Sequence, residues 1–535
     1  MLNLPNANCR HLRDDRFIHA STSCVLQRAR RNAIPIPESA VTANGVGAKL
    51  VKEIELKLDL SPQAASMLLN CEPLAAASVV KQQRAIYFDT PDKDLHAAGL
   101  SFRIRKSGGQ RVQTIKANDG AAAGLFVRSE WNRRVRTDRP ILDDRIPIRA
   151  ILAKKIDRLS PVFEIHTERR IWIISQDTAE IELVLDQGDV VAGGRHTSIC
   201  EIELELKAGA PKKLFSLARR LDVIAPVRLG VLSKAERGYR LLGPAYRAIK
   251  AETPALTSDM TAALAFQQIA KTCIRHFRLN ETSLLEQRDS EVLHQARVAL
   301  RRLRTTLSIH RAMIVDSQFD RIRNELRTLT SKLGEARNID VLIDRSEPGK
   351  LRSRLDKARD HSYDDVATAL ASPHVRSLMF DLAEWIAVGD WLKDPAGRGI
   401  GDQPVREFAV FSLDRYYRKV KKRGRDIAKL DDRARHQVRK DAKNLRYAAE
   451  FFSSLFGEKQ QRRRFNRFVE ALELLQECLG ELNDLATTSE VLAQIRPNAD
   501  LGAESFLSTR TSKEKLIDAA SNAHVDLMDC KRFWR

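Results

Sequence analysis

Between Arg240 and Thr261 the hydrophobic period of this chain changes from two residues to the helical repeat, and no single fold accommodates both halves. Upstream, short runs of alternating polar and apolar residues are separated by turn signals. The runs are VKEIELKLDL, QQRAIYFDT, GLSFRIRKS, RVQTIKAN, LFVRSEWNRRV, PVFEIHTERRIWII, AEIELVLDQGDVV and SICEIELELKAG, and the separators include Gly108-Gly109 and Gly193-Gly194. Regularly spaced strands of this kind predict an antiparallel sandwich or barrel. Two helical stretches interrupt them, SPQAASMLLN (Ser61 as cap, Pro62 at the first helical position) and APKKLFSLARRLDVI. Downstream the runs are amphipathic helices, which predict an all-α bundle. The expected fold is thus α+β and multidomain: residues 1–47 as a disordered leader, 48–245 as an eight-stranded antiparallel β barrel with flanking helices, 246–260 as a linker, and 261–530 as the bundle.

The bundle sequence repeats itself. HQARVALRRLRTTL from His294 is echoed by HQVRKDAKNLRYAAE from His436, and each is followed by a matching helix, LGEARNIDVL from Leu333 and LGELNDLATT from Leu479. Two similar units in one bundle predict a pseudo-twofold arrangement.

Charge narrows the ligands. The chain of 535 residues carries a formal net charge of +21, spread along its length, which points to polyanionic partners: nucleic acid, nucleotides or phosphate polymers. An aromatic content of 6% argues against a protein that stacks the bases of a single strand. The seven cysteines form no CxxC pair, which fits a reducing cytoplasm and neither a disulfide framework nor a zinc knuckle. No apolar run approaches the roughly 18 residues of a membrane span, so no membrane role is expected.

The polar faces of the strands are not ordinary. Glu53, Glu55 and Lys57 share a face of the first run; Arg103 and Arg105, Lys116, Arg128 and Glu130, Glu180, Glu182 and Asp186, and Glu201, Glu203, Glu205 and Lys207 follow on later runs. A salt-bridged solvent face would also carry such residues. However, carboxylates two apart on a strand lie about 7 Å from each other and repel unless a cation sits between them. Arg and Lys rows at matching spacing suit an anion with several phosphate oxygens. With this face inside a closed barrel, carboxylates would hold Mg²⁺ or Mn²⁺ and basic residues a polyphosphate.

The stretch Glu53-Ile54-Glu55-Leu56-Lys57 resembles the ExExK motif of the CYTH, or triphosphate tunnel metalloenzyme, superfamily, over roughly residues 48–240. YFDTPDKDLHAAGLSFRIRKS, Lys116 in TIK, Arg128 and Glu130 in RSE, Asp186 in LVLDQG and Ser233-Lys234 in SKAERGY fall in the family's order. The resemblance implies an eight-stranded tunnel that hydrolyses or cyclises a triphosphate with Mg²⁺ or Mn²⁺. It implies metal binding by Glu53 and Glu55 with carboxylates among Glu130, Asp186, Glu201, Glu203 and Glu205, and register alone leaves open which pair of the last three takes part. Catalytic roles fall to Glu53, Glu55 and Lys57. Lys57, Arg103, Arg105, Lys116, Arg128, Lys234 and either Arg169 or Arg170, with Arg170 preferred, would grip phosphates. Asn132 departs from the pattern, standing where a second Glu is common.

In the bundle, His294, Arg297, Arg301 and Arg304 form one helical stripe, and His436, Arg439, Lys440, Lys443 and Arg446 form its counterpart. Neither histidine has a carboxylate or second histidine at ligand spacing. These motifs resemble the CHAD domain, which accompanies CYTH in tandem, over about residues 258–528. That resemblance implies binding of inorganic polyphosphate along the basic surface without chemistry; a cytoplasmic protein docked on polyphosphate granules is the expectation. The expected activity is that of an inorganic triphosphatase, with nucleic acid disfavoured as a ligand. The alternatives are an adenylate cyclase or a nucleoside or thiamine triphosphatase of the same superfamily, or a non-catalytic polyphosphate binder.

Overall fold

The computed structural model of the protein describes residues 51–117, 123–142, 148–244, 248–346, 348–495 and 513–535; the leader expected over 1–47 lies outside them. The chain divides into two compact units. Residues 126–214 and 232–244 join 51–117 in the first, and residues 215–231 group with the helical second unit.

The first unit is built on β1 (Val51–Leu60), α1 (Pro62–Leu69), β2 (Val79–Asp89), α2 (Asp94–Ala97), β3 (Leu100–Ser107), β4 (Gln110–Ala117), β5 (Leu125–Val135), α3 (Ile148–Leu152), β6 (Ser160–Gln176), β7 (Ala179–Ala192) and β8 (Arg195–Ala208). The helix α4 (Lys212–Ile224) crosses the division, and α5 (Lys234–Leu241) returns to the first unit. The strands run in the order β5-β4-β3-β2-β6-β7-β8-β1, and β5 also pairs with β1, so the eight strands curl into a closed barrel. Between β7 and β8 the two-residue loop Gly193-Gly194 has φ values of +55° and +77°. Both central residues of such a turn need positive φ, which glycine adopts without steric cost.

Alternation then sorts the side chains. Ile86, Phe88, Phe102, Ile104 and Ile115 point outward into an apolar cluster with Leu95 of α2 and Ile148 and Leu152 of α3. These two helices, four and five residues long, were not foreseen beside the two expected helical stretches. Ala85, Tyr87, Phe163, Ile165, Val190 and Ile199 point inward and meet Ala235 and Tyr239 of α5. At Gly238 a Cβ would lie 2.2 Å from the Phe163 ring, so this glycine lets α5 seat closely on the strands. That end of the barrel interior is filled by an apolar plug, and charged side chains occupy the rest.

The second unit contains α6 (Ala262–Glu286), α7 (Ser290–Ile314), α8 (Phe319–Asp344), α9 (Lys350–Ala371), α10 (Pro373–Val388), α11 (Pro395–Gly401), α12 (Val405–Arg423), α13 (Asp432–Phe452), α14 (Lys459–Ile495) and α15 (Lys513–Asp529). Side-chain caps start many of these helices: Thr261 for α6, Asp289 for α7 and Asp431 for α13 each accept from backbone amides of the first turn. The repeat has a packing basis. A Cβ at Gly334 of α8 would lie 3.4 Å from Arg297 Nη2, and one at Gly480 of α14 would lie 3.5 Å from Arg439 Nη2. Each basic stripe thus lays an arginine over the glycine of its partner helix. No helix among the described residues is long and apolar enough to cross a membrane.

Candidate active site

Cross-strand register turns the charged inner face into layers. Glu201 of β8 is flanked by Asp59 of β1 and Asp186 of β7; Glu203 by Lys57 and Val184; Glu205 by Glu55 and Glu182. Depth falls along β8, from Ile199 in the plug, through Glu201 at 0% exposure, to Lys207 with a side chain 34% exposed. In a barrel of eight strands, those four steps apart face each other. By strand order β3, with Arg103 and Arg105, lies opposite β8 with its carboxylates.

The deepest layer is a closed set of ion pairs. Lys57 Nζ is 2.8 Å from Glu201 and also contacts Glu203; Lys234 Nζ lies 2.7 Å from Asp186, 2.5 Å from Glu201 and 2.9 Å from Glu203. Arg169 forks onto Asp186, at 2.8 and 2.5 Å, and reaches Glu203 at 2.9 Å. Although burial alone would raise their pKa, these cations hold Glu201 down at about 2 and Glu203 well below the usual range. Asp186, Glu201 and Glu203 bring one oxygen each within 4.8 Å of one another, a spacing that would admit a metal. Three fixed cations already neutralise three carboxylates there, so an added metal would have to displace an ammonium or guanidinium group.

The shallower layer is a row of carboxylates. Glu55, Glu205 and Glu182 stand side by side on three strands, and Lys207 reaches the row only from the rim, 2.7 Å from Glu205 and 3.5 Å from Glu182. Burial raises the Glu53 carboxyl to about 7, helped by Glu55, Glu130 and Glu205 and opposed by Lys116. Like charges this close disfavour ionisation unless a cation joins them. The donor set, all carboxylate oxygen, suits a hard divalent ion.

On the opposite wall the imbalance has the other sign. Arg105 is lowered to about 10, first by Arg103, then by burial and Arg169. Arg103 donates to Tyr87 Oη at 3.3 Å, and its buried Nε has no partner among the described residues. Lys116 bridges the walls, 3.1 Å from Glu53 and 2.7 Å from Glu130. That pair outweighs burial and brings Glu130 down to about 2. Asn132 accepts from Thr114 at 2.7 Å and donates to Glu130 at 2.8 Å, so it orients Glu130 from where the family pattern commonly has a carboxylate.

One cavity of about 170 Å³ is lined by Glu53, Glu55, Lys57, Arg103, Arg105, Lys116, Glu130, Glu203, Glu205 and Lys234. Asp186 and Glu201 lie beneath it, fully buried. Arg169 lines the cavity, whereas Arg170, the preferred sequence candidate, faces away and bonds Glu168 at 3.0 Å. Adjacent strand residues point to opposite faces, so only one of the two can enter. The side chain of Arg128 lies outside the described residues. Tyr87, Thr114 and Glu182 also line the cavity without having been proposed as site residues. Parity with Ala85 on β2 and with Lys116 on β4 would have pointed to the first two.

In the helical unit the two stripes converge. Arg301 Nε donates to Tyr447 Oη at 2.8 Å, and Thr305 of α7 bonds Asn444 of α13 at 3.0 Å. Burial, then Arg301, Arg439, Arg446 and Arg297, bring the Lys443 ammonium down to about 6. Burial, then Arg301, Arg337 and Arg439, bring Arg297 to about 10. His294 falls to about 4 through burial and Arg337, and His436 is lowered chiefly by burial. Lys440 is exposed; Arg304 and Arg446 flank the cluster, the latter 3.2 Å from Glu450. The result is a concentration of cations that repel one another unless an anion joins them.

Comparison with known proteins agrees with both units. The CYTH domain model matches residues 51–239 and the CHAD domain model residues 268–493. An inorganic triphosphatase of Haemophilus influenzae is 31% identical over 203 residues, covering 36% of this chain and 55% of that protein, so the chain spans about half the length of this curated relative. An uncharacterized protein of Mycobacterium tuberculosis is 24% identical over 522 residues, 89% of this chain and 94% of its own. Among solved structures, the crystal structure of the CHAD domain from the plant Ricinus communis is 27% identical, covers 53% of this chain and 97% of its own, and has a TM-score of 0.44. The chain is therefore a CYTH domain over residues 51–239 followed by a CHAD domain over residues 268–493.

Proposed function

We propose that the barrel hydrolyses inorganic triphosphate to pyrophosphate and phosphate with a divalent cation, Mg²⁺ or Mn²⁺, and that the helical domain binds inorganic polyphosphate without chemistry of its own. The observation that carries this reading is the segregation of charge across one cavity: a carboxylate row on β1, β8 and β7 facing Arg103 and Arg105 on β3. Glu53, Glu55 and Glu205 would hold the ion, since Glu55 and Glu205 are cross-strand partners and both raise the Glu53 carboxyl. When bound, the ion would neutralise phosphate charge and lower the pKa of a coordinated water.

The protein groups divide the remaining work. Arg103 and Arg105 present guanidinium forks to non-bridging phosphate oxygens, and Arg169, whose fork is taken by Asp186, adds fixed positive charge beside them. Lys57 and Lys234, held by Asp186, Glu201 and Glu203, fix positive charge at the cavity floor. Water adds to a terminal phosphorus as the bridging P–O bond breaks, and the basic wall stabilises the charge gathering on the departing pyrophosphate. The name of the Haemophilus relative supports this substrate, and the absence of an aromatic base-reading platform among the lining residues other than Tyr87 favours it over a nucleotide. We assign 48–245 and 261–530 as the two domains and place the protein in the cytoplasm, where the converged stripes would dock it on polyphosphate. A substrate panel of tripolyphosphate, ATP and thiamine triphosphate with each metal tests the reading; preference for either organic triphosphate would overturn it.

A further inference from the structure

A second basic cavity, of about 390 Å³, lies among α7, α8, α12 and α13, within the usual size range of ligand pockets. Arg311, Arg323, Arg415, Lys419 and Arg423 line it, and Asp441 is the one carboxylate among its described lining residues. Asp441 is 3% exposed and already holds Arg423 at 2.7 Å, so among the described residues four cations have no acidic partner facing the cavity. Arg323 pairs with Asp320 of its own helix at 3.1 Å.

These side chains are positioned. Tyr416 is 3% exposed, and its ring carries Arg415 at 5.1 Å and Lys419 at 5.2 Å. Arg415 donates to the Ile309 carbonyl at 3.1 Å, while its buried Nε has no partner among the described residues. Arg311 lies 5.8 Å from the Phe319 ring. A surface where guanidinium groups merely extend into water would show neither the buried donor nor the aromatic seats.

The cavity is also peculiar to one half of the repeat. Where α7 has Arg311, the corresponding position just past α13 is Ser453. The second half of the repeat thus lacks this cavity cation. The cation excess is therefore not a by-product of the pseudo-twofold stripe.

We infer that this cavity is a second oligophosphate site, distinct from the converged stripes. It rests on the polyphosphate reading of the helical domain for its ligand class. Guanidinium forks match phosphoryl oxygens two at a time, and a concave site walled by four helices admits a compact chain of phosphates better than a duplex or a bilayer. Arg304 of the stripe feels Arg323 of the cavity, so one long chain can engage both.

The test is arginine footprinting with phenylglyoxal on the full chain, read by mass spectrometry, with long-chain polyphosphate, tripolyphosphate, duplex DNA or anionic vesicles as probes. Polyphosphate is expected to protect Arg311, Arg415 and Arg423, both in the wild type and in Arg297→Gln/Arg439→Gln. In that second background, Arg415→Gln/Lys419→Gln is expected to weaken polyphosphate binding about tenfold or more, as lost charge-assisted hydrogen bonds require. Phosphate release from tripolyphosphate by the barrel and thermal unfolding should be unchanged in the Arg415→Gln/Lys419→Gln chain. Protection of Arg297 and Arg439 alone overturns the second site and leaves the stripes intact. Protection at neither place overturns both readings, and stronger protection by DNA or vesicles than by polyphosphate overturns the ligand class.

Discussion

Glu55 of β1 and Glu205 of β8 are direct cross-strand partners on the inner face of the barrel. Like charges in that relation destabilise a sheet unless a counterion joins them. Mg²⁺ or Mn²⁺ at a hundredfold excess over its dissociation constant should therefore stabilise the protein by about 2.7 kcal/mol. Thermal unfolding with metal and with chelator checks this; Glu55→Gln should lose the metal-induced rise while unfolding no earlier than wild type without metal.

The deeper carboxylates should respond in the opposite way. Glu201 is fully buried and neutralises Lys57 and Lys234, so Glu201→Gln leaves buried ammonium charge short of a partner. Removing one partner from a buried pair costs about 3–5 kcal/mol. Chemical denaturation of the metal-free protein should show that loss for Glu201→Gln and not for Glu205→Gln.

Arg169 and Arg170 give a test of facing. Arg169 lines the cavity and holds Asp186, whereas Arg170 bonds Glu168 on the other face. Arg169→Gln should lower kcat/KM for tripolyphosphate by about a hundredfold, the usual loss for one stabilising donor, and Arg170→Gln should stay within about twofold.

Lys443 should couple polyphosphate binding to protons. Its pKa of about 6 in the folded protein lies below its ordinary 10.5, so between these values the unfolded chain binds more protons and stability rises with pH. A bound polyanion reverses the preference and favours the ammonium form. Binding above pH 6 should thus take up a proton and weaken as pH rises. Calorimetry in buffers of different ionisation enthalpy measures the uptake, and Lys443→Gln should abolish most of it while raising the melting temperature of the free protein.

Local pattern foretold the strands closely; β5 spans the residues of the expected run LFVRSEWNRRV. Closure of the barrel and the inward direction of its charges followed from the same alternation with the family resemblance. Three things lay beyond it. α2 and α3 are too short to display a helical period. The choice among Glu201, Glu203 and Glu205 depends on pairing with β1, at a separation of 144 residues for Lys57 and Glu201, which no local pattern encodes. The second basic cavity takes three of its five cations from α12 at four-residue spacing, and their meeting with Arg311 of α7 and Arg323 of α8 is not encoded in any one helix.

On the proposed reading, Glu55 belongs to a metal-holding carboxylate set serving phosphoanhydride hydrolysis. Phosphate release from tripolyphosphate, measured against Mg²⁺ and Mn²⁺ concentration for wild type and Glu55→Gln, addresses it directly. Saturable, metal-dependent release in the wild type with a loss of about a hundredfold or more in Glu55→Gln is expected. Equal rates in the two proteins, or release by the wild type that persists in chelator, would contradict it.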